Sequence, residues 1–316
     1  MSVTQRMTRV AAVLTCHNRK AHTLACLDAL HGQKGAQRGE GVVIDVYLVD
    51  DGSSDGTAGA IARRFPGVRV MRGDGDLYWA GGMRAALREA FKGNYDFYLW
   101  LNDDTRLDRD AVSVLLATHD SVIKQEGVPS VIVGATRDPS TGAVTYGGRY
   151  RPSRLRPSRF RVLQVADVAQ ATETMNGNVV LVPQTVVDRV GNIDMFRHSF
   201  GDQDYGLRAR AAGCNVWVAP GTVADCPANA NPVYGGVHGG RPLVSEFRGL
   251  FSVKGLYPRD WMRYSRRWHG PLWPLFWLSP YVHGTLRIAA AHLPTLGLDR
   301  HGGGRGGVPI VRGHRG

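Results

Sequence analysis

No segment of this 316-residue chain holds the roughly 18 consecutive apolar residues that a membrane-spanning helix needs. Near the start, RVAAVLT (Arg9 to Thr15) is only a strand's length, so no secretory signal region is expected there. Cysteine is scarce. Cys16, Cys26, Cys214 and Cys226 are the four, none at zinc spacing, and in a chain this long they read as reduced thiols of a cytoplasmic protein. Glycine is missing just after the first apolar run, where the chain reads TCHNRKAH. That absence excludes the G-x-G-x-x-G turn of a dinucleotide oxidoreductase. It also argues against a sugar nucleotidyltransferase, which needs a glycine-rich phosphate loop at that point. There is no internal repeat.

Hydrophobic residues make up 43% and charged residues 21%, the balance of a globular protein able to bury a sizeable core. The net charge of +12 is uneven: from Arg241 onward twelve Arg and Lys face three acids, which leaves +9 in the tail. Such a tail suits an anionic surface, either lipid headgroups or nucleic acid. A second basic stretch, Gly147 to Arg161, has six arginines, two prolines and no acid, and reads as a loop or irregular hairpin.

Apolar runs at Val10–Leu14, Val42–Val49, Val68–Met71 and Phe97–Leu101 alternate with short helical patterns, one of them from about Met83 to Phe91. That order gives a βαβ series and an α/β fold with a mostly parallel sheet. Four loops then share one sheet edge, and they carry Thr15, Asp51, the Trp79 loop and Asp103 with Asp104. The fourth run, FYLWLNDDT, is the most informative. Five apolar residues read as a strand buried on both faces, delivering two adjacent carboxylates to the edge where α/β proteins bind ligands. Like charges there are tolerated when a divalent cation lies between them and an anionic ligand. The alternative is two solvated aspartates, one of them capping a helix. Asp202 and Asp204 open a second helical pattern, Gly201 to Ala212. They read either as compensation of the helix dipole or, for Asp202, as a general base. An acidic sheet edge suits a metal and disfavours nucleic acid as a partner.

In order, LTCHNR, LVDDGSSDGT, LNDDT and FGDQDYGLRARAAG resemble the inverting family 2 glycosyltransferases of the GT-A fold, over roughly Arg9 to Pro220. AGGMR and SVKGLYPRDW…RRWHGPLWP are similar to a bacterial subgroup often labelled rhamnosyltransferase-like, which works in surface-polysaccharide assembly. The resemblance implies a GT-A domain over 1–225, with a nucleotide-sugar half to residue 105 and an acceptor half beyond it. Residues 226–316 are then a linker and a helical, interfacial extension. It implies that Thr15, His17, Arg19, Asp51, Trp79, Gly81 and Asp103 hold a UDP- or dTDP-sugar, with Asp51 on the base edge. Asp104 would ligate Mg²⁺ or Mn²⁺ and Asp202 would be the base. Gly201 stands where the family has glutamate. Asp225, or less directly His238, replaces the family's metal-binding histidine. Asn176, Asp204, Arg149 and Arg151 are candidates for the acceptor, a glycan or a polyprenyl-diphosphate-linked sugar. A non-catalytic relative that binds nucleic acid or membrane is the alternative.

In the tail, Arg259, Arg263, Arg266 and Arg267 interleave with Trp261, Tyr264 and Trp268, and Trp273, Phe276, Trp277 and Tyr281 follow. Rings at headgroup depth with guanidinium groups on phosphates would make a peripheral anchor at the inner face of the plasma membrane. The alternative packs these rings on the catalytic domain or in a homodimer interface.

Overall fold

The computed structural model describes residues 6–34, 41–153, 155–229 and 242–292. The first half runs β1 (Thr8–Cys16), α1 (Lys20–His31), β2 (Val42–Asp50), α2 (Thr57–Arg64), β3 (Arg69–Arg72), α3 (Tyr78–Ala90) and β4 (Phe97–Leu101). Next come β5 (Arg106–Leu107), α4 (Ala111–Glu126), β6 (Ser130–Arg137), β7 (Val144–Tyr146), β8 (Gly148–Tyr150) and β9 (Arg161–Val162). Then follow β10 (Gln170–Ala171), β11 (Thr174–Met175), β12 (Val179–Pro183), α5 (Gln184–Val190), α6 (Gly201–Ala211) and β13 (Asn215–Asp225). Helices α7 (Leu243–Leu250), α8 (Pro258–Trp268) and α9 (Trp273–His292) complete the described chain.

The main sheet has the order β10-β13-β6-β12-β4-β1-β2-β3. From β13 to β3 every strand points the same way except β12, which is antiparallel to both neighbours. This is the mostly parallel α/β sheet expected from the alternating pattern. All five residues of β4 are buried at its centre. Successive side chains of a strand leave on opposite faces. Tyr98 and Trp100 therefore enter one core with α3, α5 and α6, while Phe97, Leu99 and Leu101 enter the other with α1 and α4.

Two expectations change. Helix α3 starts at Tyr78 rather than near Met83. The cause is remote: the Asp51 carboxylate accepts the N–H groups of Leu77 and Tyr78, free donors at a helix start. Of the tail rings, Trp261, Tyr264 and Tyr281 are buried, while Trp268, Trp273, Phe276 and Trp277 are half-buried. Trp261 and Tyr264 are 5% and 1% exposed and pack on Phe200 at ring distances of 5.2 and 5.0 Å, within the core that includes Trp100. What α9 exposes instead is aliphatic: Leu275, Leu278, Val282 and Leu286, at helical spacing. Among the described residues no helix is long and apolar enough to cross a membrane.

Candidate active site

At the carboxyl end of β4, a cavity of about 190 Å³ opens between that strand, the start of α6 and the Asn176–Asn178 turn. Its lining brings together five expected residues: Trp79, Asp104, Arg149, Asn176 and Asp202. Asp104 and Asp202 are the two carboxylates in that lining.

Asp202 is held by backbone. One oxygen accepts the Gly177 N–H at 2.9 Å and the other the Gln203 N–H at 2.8 Å. Burial raises its pKa above the ordinary carboxylate range, against the pull of those two bonds and of Arg149. A carboxylate both oriented and made more basic suits proton abstraction. Phe200, just before α6, has φ of 72°. Asn18 and Tyr78, at 50° and 54°, are the other non-glycine residues with positive φ in the described chain. All three lie in loops or helix starts around this sheet edge, where backbone strain marks functional geometry.

Gly201 has a structural reason. A Cβ there would meet Ala80 Cβ and Ile193 Cγ2 at 3.1 Å and the Trp79 ring at 3.5 Å. A glutamate side chain would have to displace the helix that carries Trp79. The indole Nε1–H of Trp79 donates to Asn102 Oδ1 at 2.7 Å, which fixes the ring as a wall of the cavity.

Asp103 and Asp104 part company. Asp103 turns inward, accepts Thr23 Oγ1–H at 3.3 Å, and has its pKa pushed up to about 6, chiefly by burial. Asp104 faces the cavity. Arg19 clamps both, at 3.2 Å from Asp103 and 2.8 Å from Asp104 Oδ2, so one guanidinium offsets their repulsion. The second oxygen, Asp104 Oδ1, has only the weak thiol contact of Cys226 at 3.8 Å. Asp225 does not join it, a correction to the expected ligand set. It is paired with Arg106 at 2.8 Å and Arg137 at 3.0 Å, because neighbouring residues at a strand end point to opposite faces. Cys226 therefore occupies the place beside Asp104, with its thiol pKa pushed up to about 12 by burial and by that carboxylate. His238 lies outside the described residues. Among those described, no three His, Cys, Asp or Glu gather as a metal cluster. The donor set still fits Mg²⁺ or Mn²⁺ bound through one carboxylate oxygen with phosphate and water oxygens completing the shell.

Other expected residues have different tasks. Asp51 is 3% exposed, and its two oxygens accept the N–H groups of Gly75, Leu77 and Tyr78, which shapes the loop ahead of α3. His17 bonds the Asp51 carbonyl through Nδ1, and Asn18 through Nε2. Thr15 is buried under Gly82, whose added Cβ would collide with its hydroxyl. Gly81 sits inside α3, with its N–H on the Arg197 carbonyl. Arg151 pairs with Glu173 at 2.7 Å. Asp204 is fully buried and accepts bonds from Arg208 (2.8 Å), Arg267 (2.8 Å) and Trp268 (2.9 Å), which latch α8 onto α6. It lies outside the lining of the cavity.

Sequence reasoning missed His198, Asn178, Gln203 and Tyr146 in the lining. Asn176 Oδ1, Arg149 Nε and His198 Nδ1 are buried without a hydrogen-bond partner, and all three belong to residues of this cavity. Orphaned polar atoms gathered in one cleft are what a ligand would satisfy. Burial, and secondarily Lys254, lowers the His198 pKa to about 4, so it stands there as a neutral imidazole at pH 7.

Residues 11–166 match the profile of Glycosyl transferase family 2. An uncharacterized protein of Mycobacterium tuberculosis is 26% identical over 240 residues, which is 71% of this chain and 83% of that one. Staphylococcus aureus TarS in complex with UDP-GlcNAc superposes with a TM-score of 0.52 at 11% identity, over 81% of this chain and 67% of that one. In another TarS structure (TM-score 0.50, 12% identity) the match covers 69% of this chain and only 60% of that one. Mannosyltransferase PcManGT from Pyrobaculum calidifontis, solved with GDP-Man and Mn²⁺, gives 0.51 at 16% identity, over 90% of this chain and 74% of that one. The sheet order, the cleft at the end of β4 and the structural matches agree on a GT-A fold, and residues 11–166, just under half of the chain, are similar to glycosyl transferase family 2.

Proposed function

We propose that this chain is an inverting transferase that moves a sugar from a nucleoside-diphosphate sugar to an acceptor hydroxyl. The observation that carries the reading is the pair of carboxylates in one cavity, Asp202 fixed by backbone donors and Asp104 with an oxygen to spare. Asp202 takes the proton of the acceptor hydroxyl as that oxygen attacks the anomeric carbon. The bond to the diphosphate breaks on the opposite side. Among the described residues no further carboxylate lines the cavity to serve as nucleophile, so the displacement is single and inverts the carbon. Mg²⁺ or Mn²⁺ on Asp104 would supply Lewis-acid neutralisation of the departing diphosphate. Arg19 keeps Asp104 oriented, and Trp79 forms the wall against which a sugar or base ring stacks.

The donor we favour is a UDP- or dTDP-sugar, with hexosyl or rhamnosyl transfer, on the likeness of AGGMR and the tail motifs to the rhamnosyltransferase-like subgroup. The nucleotide sugars and Mn²⁺ bound by the two structural neighbours support the donor class and the cation. The acceptor is a glycan or a polyprenyl-diphosphate-linked sugar in cell-envelope polysaccharide assembly. The exposed aliphatic face of α9, together with the basic tail, supports a cytoplasmic enzyme peripheral to the inner leaflet. The same face would serve a homodimer. The test is a donor screen for hydrolysis and transfer with UDP-, dTDP- and GDP-sugars in Mg²⁺ and Mn²⁺. One nucleotide class should be turned over well above the rest. No binding or turnover of any of them would refute the reading.

A further inference from the structure

Behind the catalytic cavity lies a larger one, of about 530 Å³, between the basic Gly147–Arg161 segment and helices α8 and α9. The two share three wall residues, Arg149, Phe200 and Gln203, so one layer of side chains separates them. The chamber's walls are aromatic: Phe160, Phe200, Trp261, Tyr264 and Phe276. Arg156 and Arg159 are exposed along the chamber, and Arg149 stands half-buried in the wall shared with the catalytic cavity. None of these three arginines has a carboxylate partner among the described residues, although carboxylates pair with Arg19, Arg137, Arg208 and Arg267 nearby. Two buried polar atoms of the lining also lack partners, Arg149 Nε and the hydroxyl of Tyr264, which is 1% exposed.

A chamber of this size is within the range of ordinary ligand sites, and its chemistry is divided. Aromatic walls gain from burying an apolar body. Three guanidinium groups without a carboxylate ion pair among the described residues call for an anion, and the planar fork of arginine matches phosphate. A neutral, fully polar glycan would satisfy neither half. We propose that the chamber is a second subsite, which takes the apolar part of a phosphorylated acceptor while Arg149, Arg156 and Arg159 hold its phosphate. This rests on the transferase reading of the adjoining cavity. It deepens that reading in one respect: the accepting sugar lies next to the phosphate and the apolar chain. The reaction that supplies this substrate must therefore be one that places a sugar directly on a phosphorylated lipid.

Calorimetric titration of the full-length protein, with UDP present to occupy the donor diphosphate site, tests it. The probes are geranyl diphosphate, geraniol and inorganic diphosphate. Geranyl diphosphate should bind at least tenfold more tightly than either of the others. Ser279→Trp puts a bulky ring into the chamber from α9 and should remove the advantage over inorganic diphosphate. Arg156→Glu with Arg159→Glu should remove the advantage over geraniol. All variants should keep the melting temperature and UDP affinity of the parent. Equal affinity for geranyl and inorganic diphosphate would mean that the chamber takes no chain and would overturn the proposal. So would equal affinity for geraniol, or unchanged binding in Ser279→Trp. Nucleotide-sugar turnover is read separately. Turnover without geranyl diphosphate binding defeats the chamber alone, whereas binding without turnover of any donor defeats the transferase reading.

Discussion

Replacing Asp204 by alanine separates the two readings of the Asp202/Asp204 pair. Asp204 is 0% exposed and is the shared acceptor for Arg208, Arg267 and Trp268, which come from α6 itself and from α8. Arg208 and Arg267 keep 20% and 35% exposure, so water compensates them in part once the carboxylate is gone. Removing one partner of a buried ion pair costs about 3–5 kcal/mol, and the partial exposure of both arginines places this case near the lower value. For a chain of 316 residues that corresponds to a fall in melting temperature of roughly 4–5 °C. Thermal unfolding by circular dichroism reads it directly. The double variant with Arg267→Ala should lose less than the sum of the two single changes, because the pair shares one interaction. Asp204→Ala melting within a degree of the parent while transfer is abolished would refute the latch and return Asp204 to the acceptor site.

Asp104→Ala should abolish transfer and weaken donor binding, and EDTA should mimic it in the parent; full activity in EDTA would remove the metal from the account. Gly201→Glu, which restores the glutamate usual in the family, should cost about 1–3 kcal/mol of stability from overpacking against Ala80 and Ile193, without raising turnover. Melting and kcat measured together decide it, and a stable, faster variant would contradict the packing argument. Leu275→Glu with Leu278→Glu should reduce co-sedimentation with anionic vesicles at low salt while leaving the melting temperature unchanged, since both side chains are exposed. Binding equal to the parent would clear α9 of membrane contact.

The sheet and the position of its ligand edge were legible because their signals are local. A continuous apolar run such as FYLWL can only be a strand covered on both faces, and its end must carry the next two residues to the edge. What escaped depended on partners distant in sequence. The start of α3 is set by Asp51, 26 and 27 residues upstream of the two N–H groups it accepts. Periodicity separates two further pairs of neighbours. Residues two apart on a helix face different sides, so Asp202 and Asp204 could not both reach one substrate. Residues adjacent on a strand face opposite ways, which sends Asp225 to the arginines and Cys226 to Asp104. His198 had no such signal, since an isolated histidine in a loop carries no period or motif. The aromatic tail misled through composition: tryptophan, tyrosine and arginine suit a bilayer surface and equally suit a helix packed over Phe200.

The central claim is that Asp202 is the base, and the most direct measurement is the pH dependence of transfer by the parent set beside Asp202→Asn. Asparagine keeps the size, and its single carbonyl oxygen can still accept one of the Gly177 and Gln203 N–H bonds, but it cannot take the proton. Asp202 must be ionised to act. Because burial raises its pKa, activity should fall as the pH drops through a value above the ordinary carboxylate range, not within it. The account predicts that Asp202→Asn binds donor within a few-fold of the parent, turns over roughly 10²–10⁴ times more slowly, and loses that acid limb. Normal turnover by Asp202→Asn, with the parent's pH profile unchanged, would contradict it.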